Sequence, residues 1–375
     1  MAFVPAVANF PAPVESICAL SRRLGELPHI GGIALNGTFR KAGHVTLWMA
    51  LAGCAHAGSA ELAAVPERIP DSYAKAGTLV AIAPGRSLNL RCEGSGPQTV
   101  ILEAGSHADT TTWFKLQPLL AASAKVCSYD RAGYGFSDGG PLPRDLAAEV
   151  ADLHALIQHA KLHTPLLLVG HSRGSNIARL YAQRYPADLN GLVLIDPPAQ
   201  DVASVAPEWA KQEAQMSEQR FSFIHQCEAG AEKHQLASPP SALAACVAGG
   251  NPAASAKVNA SIAAYKFKPV FWRTLESELR DNAVIYGQPV SPRETLGALP
   301  VTVLTASDTY ADAPGDIRGT LEAARDATQA KILATTTHGQ RILVDHASHD
   351  IQLDQPVAVA NAVDALLKQT ATQAR

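Results

Sequence analysis

A strand-like run that leads straight into a serine between two glycines constrains this chain more than any other feature. Residues 166–174 read LLLVGHSRG, and an amphipathic segment follows them. This pattern matches the G-x-S-x-G nucleophile elbow, a strained turn from a strand into a helix. Strand and helix approach each other so closely in this turn that side chains at Gly170 and Gly174 would collide. The pattern therefore predicts that Ser172 lies at the carboxyl edge of a sheet, where a substrate can reach its hydroxyl.

Aliphatic strand patterns alternate with helical patterns on both sides of this turn. TLVAIA and SLNLRCEG are predicted to form a strand pair, and TVILEAG, AKVCSYD, GLVLID and PVTVLTASD are predicted to be further strands. Residues 144–161 have apolar positions at three-and-four spacing, which predicts an amphipathic helix. Buried strands that alternate with helices indicate a mostly parallel, twisted sheet with helices on both faces, which is an α/β fold.

The pattern changes between residues 199 and 298, where no strand candidate of comparable length occurs. We expect a helical cap insert over the sheet in this stretch, with the α/β core in 61–198 and 299–375. Six aromatic residues of the insert are expected either to supply an apolar acyl pocket or only to pack the insert onto the sheet: Trp209, Phe221, Phe223, Phe267, Phe271 and Trp272.

The first 60 residues have the layout of an export leader. Residues 38–60, TFRKAGHVTLWMALAGCAHAGSA, combine a basic start, a short apolar stretch and a small-residue end. The LAGC within them resembles the lipobox of bacterial lipoproteins, in which Cys54 would receive the lipid. Because 37 residues precede this stretch, we expect translation to start downstream of Met1. The protein is expected to be exported, as a periplasmic, secreted or lipid-anchored form, with a cytoplasmic enzyme as the alternative.

Charge and hydropathy limit the kinds of partner. The 375 residues carry a formal net charge of −3, which gives no reason to expect nucleic acid or an anionic membrane as the partner. No apolar run reaches the roughly 18 to 20 residues that span a bilayer. A small-molecule substrate is therefore the expected partner, and the oligomeric state stays open.

Four cysteines follow the leader, and an even number suits disulfides in an oxidising compartment. The expected pairs are Cys92 with Cys127 and Cys227 with Cys246. Four free thiols in a cytosolic enzyme are the alternative. No Cys-x-x-Cys or His-rich spacing predicts a metal site.

A serine hydroxyl needs a base to take its proton. His349 follows the last predicted strand in DHASHDIQLDQP and is the expected base, with His346 as the alternative. His171 is next to the serine but is expected to point into the sheet and to be structural.

The third member of such a triad is a carboxylate that orients the histidine. Asp308 ends the strand VTVLTASD and fits the chain order Ser, Asp, His, so it is the favoured acid. Asp196 ends the preceding strand at the same sheet edge and could reach the same histidine. Asp312 and Asp316 are the remaining candidates.

Acyl transfer also needs hydrogen-bond donors for the developing oxyanion. One is expected to be the backbone N–H of Arg173, at the positive end of the helix that follows the serine. The second is expected from the loop after VILEAG, as the N–H of Ser106 or alternatively of His107.

Taken together, these segments resemble esterase-like members of the α/β-hydrolase fold superfamily. VILEAGSHADTTTW and CSYDRAGYGFSD resemble the oxyanion loop and the D-R-x-G-x-G-x-S segment, and LLLVGHSRG, GLVLIDP, LPVTVLTASD and ASHDIQLDQP follow in the family's order over about residues 78–370. The resemblance implies a triad of Ser172, Asp308 and His349, no cofactor, and a cap between the sixth and seventh strands. The chain departs from the family at 103–105, which read EAG where many members have His-Gly, and the long loop before His349 leaves the acid open.

The function expected from these residues is that of a serine hydrolase which cleaves a carboxylic ester or related acyl bond through an acyl-enzyme. Amidase, peptidase, lactonase and acyltransferase chemistry use the same triad and stay open. A ligand-binding member that does not use its triad is an alternative of a different class.

Overall fold

A computed structural model of the protein describes residues 65–373. The predicted leader, with the export signal and the lipobox at Cys54, lies outside the described residues. Eight strands of the described chain form one sheet in the order β1-β2-β4-β3-β5-β6-β7-β8. They are β1 (Thr78–Ala83), β2 (Arg86–Glu93), β3 (Thr99–Glu103), β4 (Lys125–Tyr129), β5 (Leu166–His171), β6 (Leu189–Ile195), β7 (Val301–Ala306) and β8 (Gly339–Val344).

From β3 to β8 the described helices alternate with the strands, except that several helices follow one another between β6 and β7. They are α1 (Leu116–Leu120), α2 (Leu146–His159), α3 (Arg173–Arg184), α4 (Pro207–Glu232), α5 (Ala244–Val247), α6 (Ala256–Lys266), α7 (Pro269–Tyr286), α8 (Gly315–Leu333), α9 (Ile351–Asp354) and α10 (Pro356–Gln373). Short 3-10 helical turns occupy Asp71–Ala74, Thr110–Trp113, Pro186–Asp188, Val202–Ser204 and Ser241–Leu243.

The sheet is mostly parallel. β2 pairs antiparallel with β1 and β4, and the remaining neighbours from β4 to β8 pair in parallel. The predicted β1–β2 hairpin turns at Pro84 and Gly85, and Gly85 has a φ of +69°, which a residue without a side chain adopts at little cost. The predicted α/β class and mostly parallel sheet are confirmed.

Apolar side chains cover both faces of the sheet. One face packs against α2 and α3, through residues such as Leu153 and Ile177, and the other packs against α1 and α10, through residues such as Leu120 and Leu366. Every residue of β5 is buried because its neighbours shield both its edges while helices cover both its faces. This burial fixes the strand that carries Ser172 at its end.

The described chain between β6 and β7 is helical, as expected, and contains α4 to α7, which we call the helical insert. Its own apolar core includes Phe221, Phe271 and Trp272, with Tyr134 from the loop after β4. Trp209 packs elsewhere, in a cluster with Tyr310. The six aromatic residues therefore do not form one group.

Both expected disulfides are present. Cys92 and Cys127 face each other across β2 and β4, and Cys227 in α4 is bonded to Cys246 in α5. Within residues 65–373, no helix is long and apolar enough to cross a membrane.

Candidate active site

Ser172 sits at the sharp turn between β5 and α3. Its backbone has a φ of 52° and a ψ of −120°, a conformation that costs free energy for any residue with a side chain. A Cβ at Gly170 would lie 2.3 Å from the Gly174 carbonyl oxygen, and a Cβ at Gly174 would lie 2.4 Å from the Glu103 carbonyl oxygen. Glycine at both positions therefore permits the close approach of strand and helix that holds Ser172 at the sheet edge.

His349 is held by Asp196. Its Nδ1 lies 2.7 Å from Asp196 Oδ2, and both side chains are buried. Asp196 follows β6 directly, with a φ of 42°, and its Oδ2 also accepts a hydrogen bond from Thr309 Oγ1 at 2.6 Å. Gln329 and the backbone N–H of Ala306 approach Asp196 Oδ1 at 3.5 and 3.3 Å.

This arrangement corrects the favoured acid, because the structure brings Asp196 and not Asp308 to His349. The Asp308 side chain is exposed, two residues beyond the end of β7, and its backbone N–H donates to the Ala347 carbonyl. Asp196 is the residue that reaches His349 for two reasons. β6 is the strand next to β5, and the left-handed backbone of Asp196, at the end of β6, turns the carboxylate towards the histidine. His346, Asp312 and Asp316 also lie outside the pair.

The pair shifts the pKa of both its members. Burial alone would lower the pKa of His349, but the hydrogen bond and the negative charge of Asp196 outweigh it and raise that pKa. Burial alone would raise the pKa of Asp196, but His349 and the positive charge of Arg325 hold it below its ordinary value. His349 Nε2 is buried without a hydrogen-bond partner among the described residues. That nitrogen is therefore the one that a ligand or a neighbouring hydroxyl could bind.

His171 was expected to point into the sheet, and its side chain contacts the loop that carries His349. Its Nε2 donates to the His349 carbonyl oxygen at 2.9 Å, and the two rings are 4.8 Å apart. Burial and the nearby His349 lower the pKa of His171 to about 4, so His171 is neutral at neutral pH. A Cβ at Gly105 would lie 3.0 Å from His171 Nδ1 and 3.2 Å from Ser172 Cβ. His171 thus separates the loop after β3 from the loop of His349.

The two expected oxyanion residues are joined through the helical insert. Ser106 is buried and its Oγ accepts a hydrogen bond from Asn282 Nδ2 at 2.8 Å, while Arg173 Nη1 donates to Asn282 Oδ1 at 2.7 Å. Arg173 also begins α3, where backbone N–H groups have no partner within the helix. The alternative donor, His107, is exposed and has a φ of 51°.

A buried ionic cluster, which sequence reasoning missed, underlies this loop. We call it the arginine cluster, and it comprises Arg131, Arg173, Glu103, Glu149 and Glu278. Arg131 donates to the carboxylates of Glu103 and Glu278 at 3.0 Å each, and to the carbonyl oxygens of Ala104 and Gly105 at 2.7 Å each. The unusual glutamate at 103 and the arginine in DRAGYGFSD were the available sequence signals.

Arg173 connects the same cluster to α2 and α7. Its Nη2 lies 2.8 Å from Glu149 Oε2 and 2.8 Å from Asp281 Oδ2. Burial raises the pKa of Glu149 well above its ordinary value, although the positive charge of Arg173 lowers it. Burial would raise the pKa of Glu278 too, but Arg131 and Arg173 lower it to about 2. Glu278 is therefore charged at neutral pH.

A cavity of about 320 Å³ lies within the helical insert beside the loop after β3. Its walls are largely apolar, and the lining residues are His107, Arg220, Phe223, Ile224, Ala245, Cys246, Ala248, Tyr265, Lys266, Phe271, Trp272, Leu275 and Leu279. Three of the expected aromatic residues line it: Phe223, Phe271 and Trp272. A second, more open cavity beside β1 and β2 contains none of the site residues.

Comparison with known proteins matches part of this chain to a known fold. Residues 99–229 match a family model described as the alpha/beta hydrolase fold. The uncharacterized protein YqjL of Bacillus subtilis is 35% identical over 112 residues, which are 30% of this chain and 44% of that protein. The putative carbamate hydrolase RutD of Pantoea ananatis is 32% identical over 108 residues, which are 28% of this chain and 38% of that protein. The matches thus span less than half of the length of these relatives.

Solved structures share the fold at low identity. An esterase from Thermogutta terrifontis superposes with a TM-score of 0.51 and 23% identity, over 79% of this chain and 99% of that chain. A putative lipase from Acinetobacter baumannii superposes with a TM-score of 0.52 and 16% identity, over 80% of this chain and 94% of that chain. With its mostly parallel sheet and the matched segment around the serine elbow, the chain has the α/β-hydrolase fold.

Proposed function

We propose that the protein is a serine hydrolase that cleaves a carboxylic ester or related acyl bond through an acyl-enzyme. The observation that carries this proposal is the buried Asp196–His349 pair, 2.7 Å apart, at the same sheet edge as the strained serine elbow. Nucleophile, orienting acid and base then follow each other in the chain as Ser172, Asp196 and His349, an order used by this fold.

In this mechanism Ser172 Oγ attacks the substrate carbonyl carbon while His349 Nε2 takes the hydroxyl proton. Asp196 holds the proton on His349 Nδ1 and stabilises the imidazolium that forms. The imidazolium then gives its proton to the leaving group. Water attacks the resulting acyl-Ser172 with His349 again as the base, which releases the acid and restores the hydroxyl.

Backbone N–H groups of Ser106 and Arg173 are proposed to bind the oxyanion. Arg131 supports this role, because its guanidinium binds the Gly105 carbonyl oxygen at 2.7 Å. In a trans peptide the N–H of Ser106 points opposite to that carbonyl, so fixing the carbonyl also fixes the donor. We therefore propose Arg131 as a positioning residue, joined to the helical insert through Glu278. Asn282 links Ser106 and Arg173 to the same helix.

The first test is the initial rate of hydrolysis of nitrophenyl acetate, butyrate and octanoate by the full chain and by Ser172→Ala. Loss of the nucleophile from a working triad costs about a millionfold in kcat, so the variant is expected to fall to background. Ser204→Ala, which changes an exposed serine of the helical insert region, is the matched control and is expected to retain the wild-type rate. Equal rates in the wild type and Ser172→Ala would contradict the proposal and favour a ligand-binding protein. A nitrophenyl carbamate belongs in the same series, since one relative is called a putative carbamate hydrolase.

We also propose that the protein is exported. Two disulfides support this, because such bonds persist in oxidising compartments, and so does the leader pattern of residues 38–60. The test is the intact mass of the natural protein, with thiol alkylation, after separation of periplasm and cytosol. An exported, shortened chain without free thiols at the four paired positions is expected, whereas a full-length cytosolic chain with reactive thiols would contradict export.

A further inference from the structure

The cavity in the helical insert combines apolar walls with positive charge. Arg220 and Lys266 are among its lining residues, and no aspartate or glutamate is among them. A cavity lined by aromatic rings, with a few polar groups placed in it, is typical of small-molecule sites. The positive charge of these side chains therefore favours ligands that carry a negative charge.

Lys266 is the more informative of the two cations. It ends α6, is half-buried, and has no carboxylate within ion-pair distance among the described residues. The carboxylate that acts on it is Asp109, whose oxygens already accept hydrogen bonds from Tyr265 OH at 3.0 Å and from the Thr111 N–H at 2.8 Å. Burial lowers the pKa of Lys266, which reflects the cost of an ammonium that has lost water without gaining a close partner. An anion from a ligand would supply that partner.

Arg220 adds a second donor group on α4. It is partly exposed, and its contact with Glu213 is long, at 3.7 Å. A contact this long with a partly exposed guanidinium is weak and leaves most of its donors available. Two cations from different helices thus approach one cavity.

Two residues that line the cavity are close in the chain to residues of the proposed oxyanion site. His107 lines it and directly follows Ser106, and Leu279 lines it one helical turn before Asn282, which binds Ser106. The volume of about 320 Å³ is in the range of small-molecule sites. A short acyl chain that enters from the site would meet apolar walls and basic side chains.

We infer that the preferred substrates are esters whose acyl group carries a second, free carboxylate, separated from the ester by a short apolar chain. This inference rests on the proposed function and names the substrate class of the same site. The apolar chain packs against Phe271, Trp272 and their neighbours, and the carboxylate binds Lys266, with Arg220 in support.

The test compares nitrophenyl esters in matched pairs, with acyl chains of equal length that end in a carboxylate or in a methyl group. The readout is the ratio of kcat/KM for the two members of each pair. We expect the wild type to favour the carboxylate at one chain length or more, and Lys266→Met to reduce the ratio about tenfold, as for the loss of a hydrogen bond to a charged group. Arg220→Met is expected to reduce the ratio less. Lys268→Met, an exposed lysine two residues away, is the matched control and is expected to keep the ratio.

A wild type that favours the methyl-ended ester at every length would overturn the inference, as would a ratio that Lys266→Met leaves unchanged. Calorimetric titration of adipate into Ser172→Ala separates this failure from failure of the proposed function. Saturable binding that Lys266→Met weakens supports the anion site even if no ester turns over, and absence of binding at millimolar adipate contradicts it. Hydrolysis of methyl-ended esters that depends on Ser172 would leave the proposed function intact in either case.

Discussion

The Asp196–His349 pair and the arginine cluster are both buried and charged, yet they are built in opposite ways. His349 uses one ring nitrogen and leaves Nε2 without a partner among the described residues. Arg131, by contrast, uses every N–H of its guanidinium, on two carboxylates and two backbone carbonyls. The difference teaches that the side chain proposed to react keeps one nitrogen free of hydrogen bonds, while the guanidinium of Arg131, which holds the loop after β3, has all its donors engaged.

The largest expected effect comes from breaking the Asp196–His349 pair. Asp196→Asn should lower kcat by about ten-thousandfold, because the amide favours the wrong tautomer of His349 and cannot stabilise its cation. Steady-state rates on the best nitrophenyl ester provide the measurement. Asp308→Asn is the matched control, and a loss of similar size in that variant would instead restore Asp308 as the acid.

Breaking the arginine cluster should lower the stability of the fold. Glu278→Gln keeps the shape of the side chain but leaves Arg131 and Arg173 short of a buried counter-charge, so the free energy of unfolding should fall by about 3 to 5 kcal/mol. Denaturant titration measures this. Glu276→Gln, the same change two residues away in a partly exposed pair with Arg280, should cost no more than about 1 kcal/mol.

Kinetic measurements on the same Glu278→Gln variant show whether the arginine cluster also affects catalysis. If Arg131 positions the loop after β3, Glu278→Gln should lower kcat more than it changes KM under conditions where the protein is folded. A variant that is destabilised but keeps the wild-type kcat would show that the cluster supports folding alone.

The Cys227–Cys246 disulfide of the helical insert should affect stability but not catalysis. Joint replacement of Cys227 and Cys246 by serine should lower the free energy of unfolding by about 3 kcal/mol, since the unfolded chain regains the entropy of a loop of 19 residues. Thermal or denaturant unfolding measures the loss. The acid limb of the pH–rate profile should not move, because neither cysteine contacts the Asp196–His349 pair; a shift would mean that the two regions are coupled.

The smallest expected effect is the pH dependence itself. His349 must be neutral to accept a proton, and its pKa is raised above the ordinary histidine value of about 6.5. We therefore expect kcat/KM to fall about tenfold for each pH unit below this raised pKa. Asp196→Asn removes the main cause of the raised pKa and should move the limb of the residual activity to lower pH. His171 stays neutral over this range, because its pKa is about 4, so a second limb near neutrality would contradict the assignment.

Several of these features could be predicted from local sequence. The mostly parallel sheet, the helical stretch between β6 and β7, and both disulfide pairs follow from periodicity, spacing and cysteine number. The elbow is predictable because its glycines answer a steric demand that lies within five residues. The choice between Asp308 and Asp196 was not predictable, since both follow parallel strands at the same sheet edge.

By itself, the sequence determined the strand that carries Ser172, the turn that presents it and the loop that carries His349. Only the tertiary structure decided that Asp196 meets that histidine, that Arg131 and Glu278 clamp the loop after β3, and that Lys266 faces an apolar cavity. The physical reason is range: backbone sterics and periodicity act between near neighbours in the chain. Buried ion pairs such as Arg131 with Glu278 join residues 147 positions apart, and their partners are set only when the helical insert packs against the sheet.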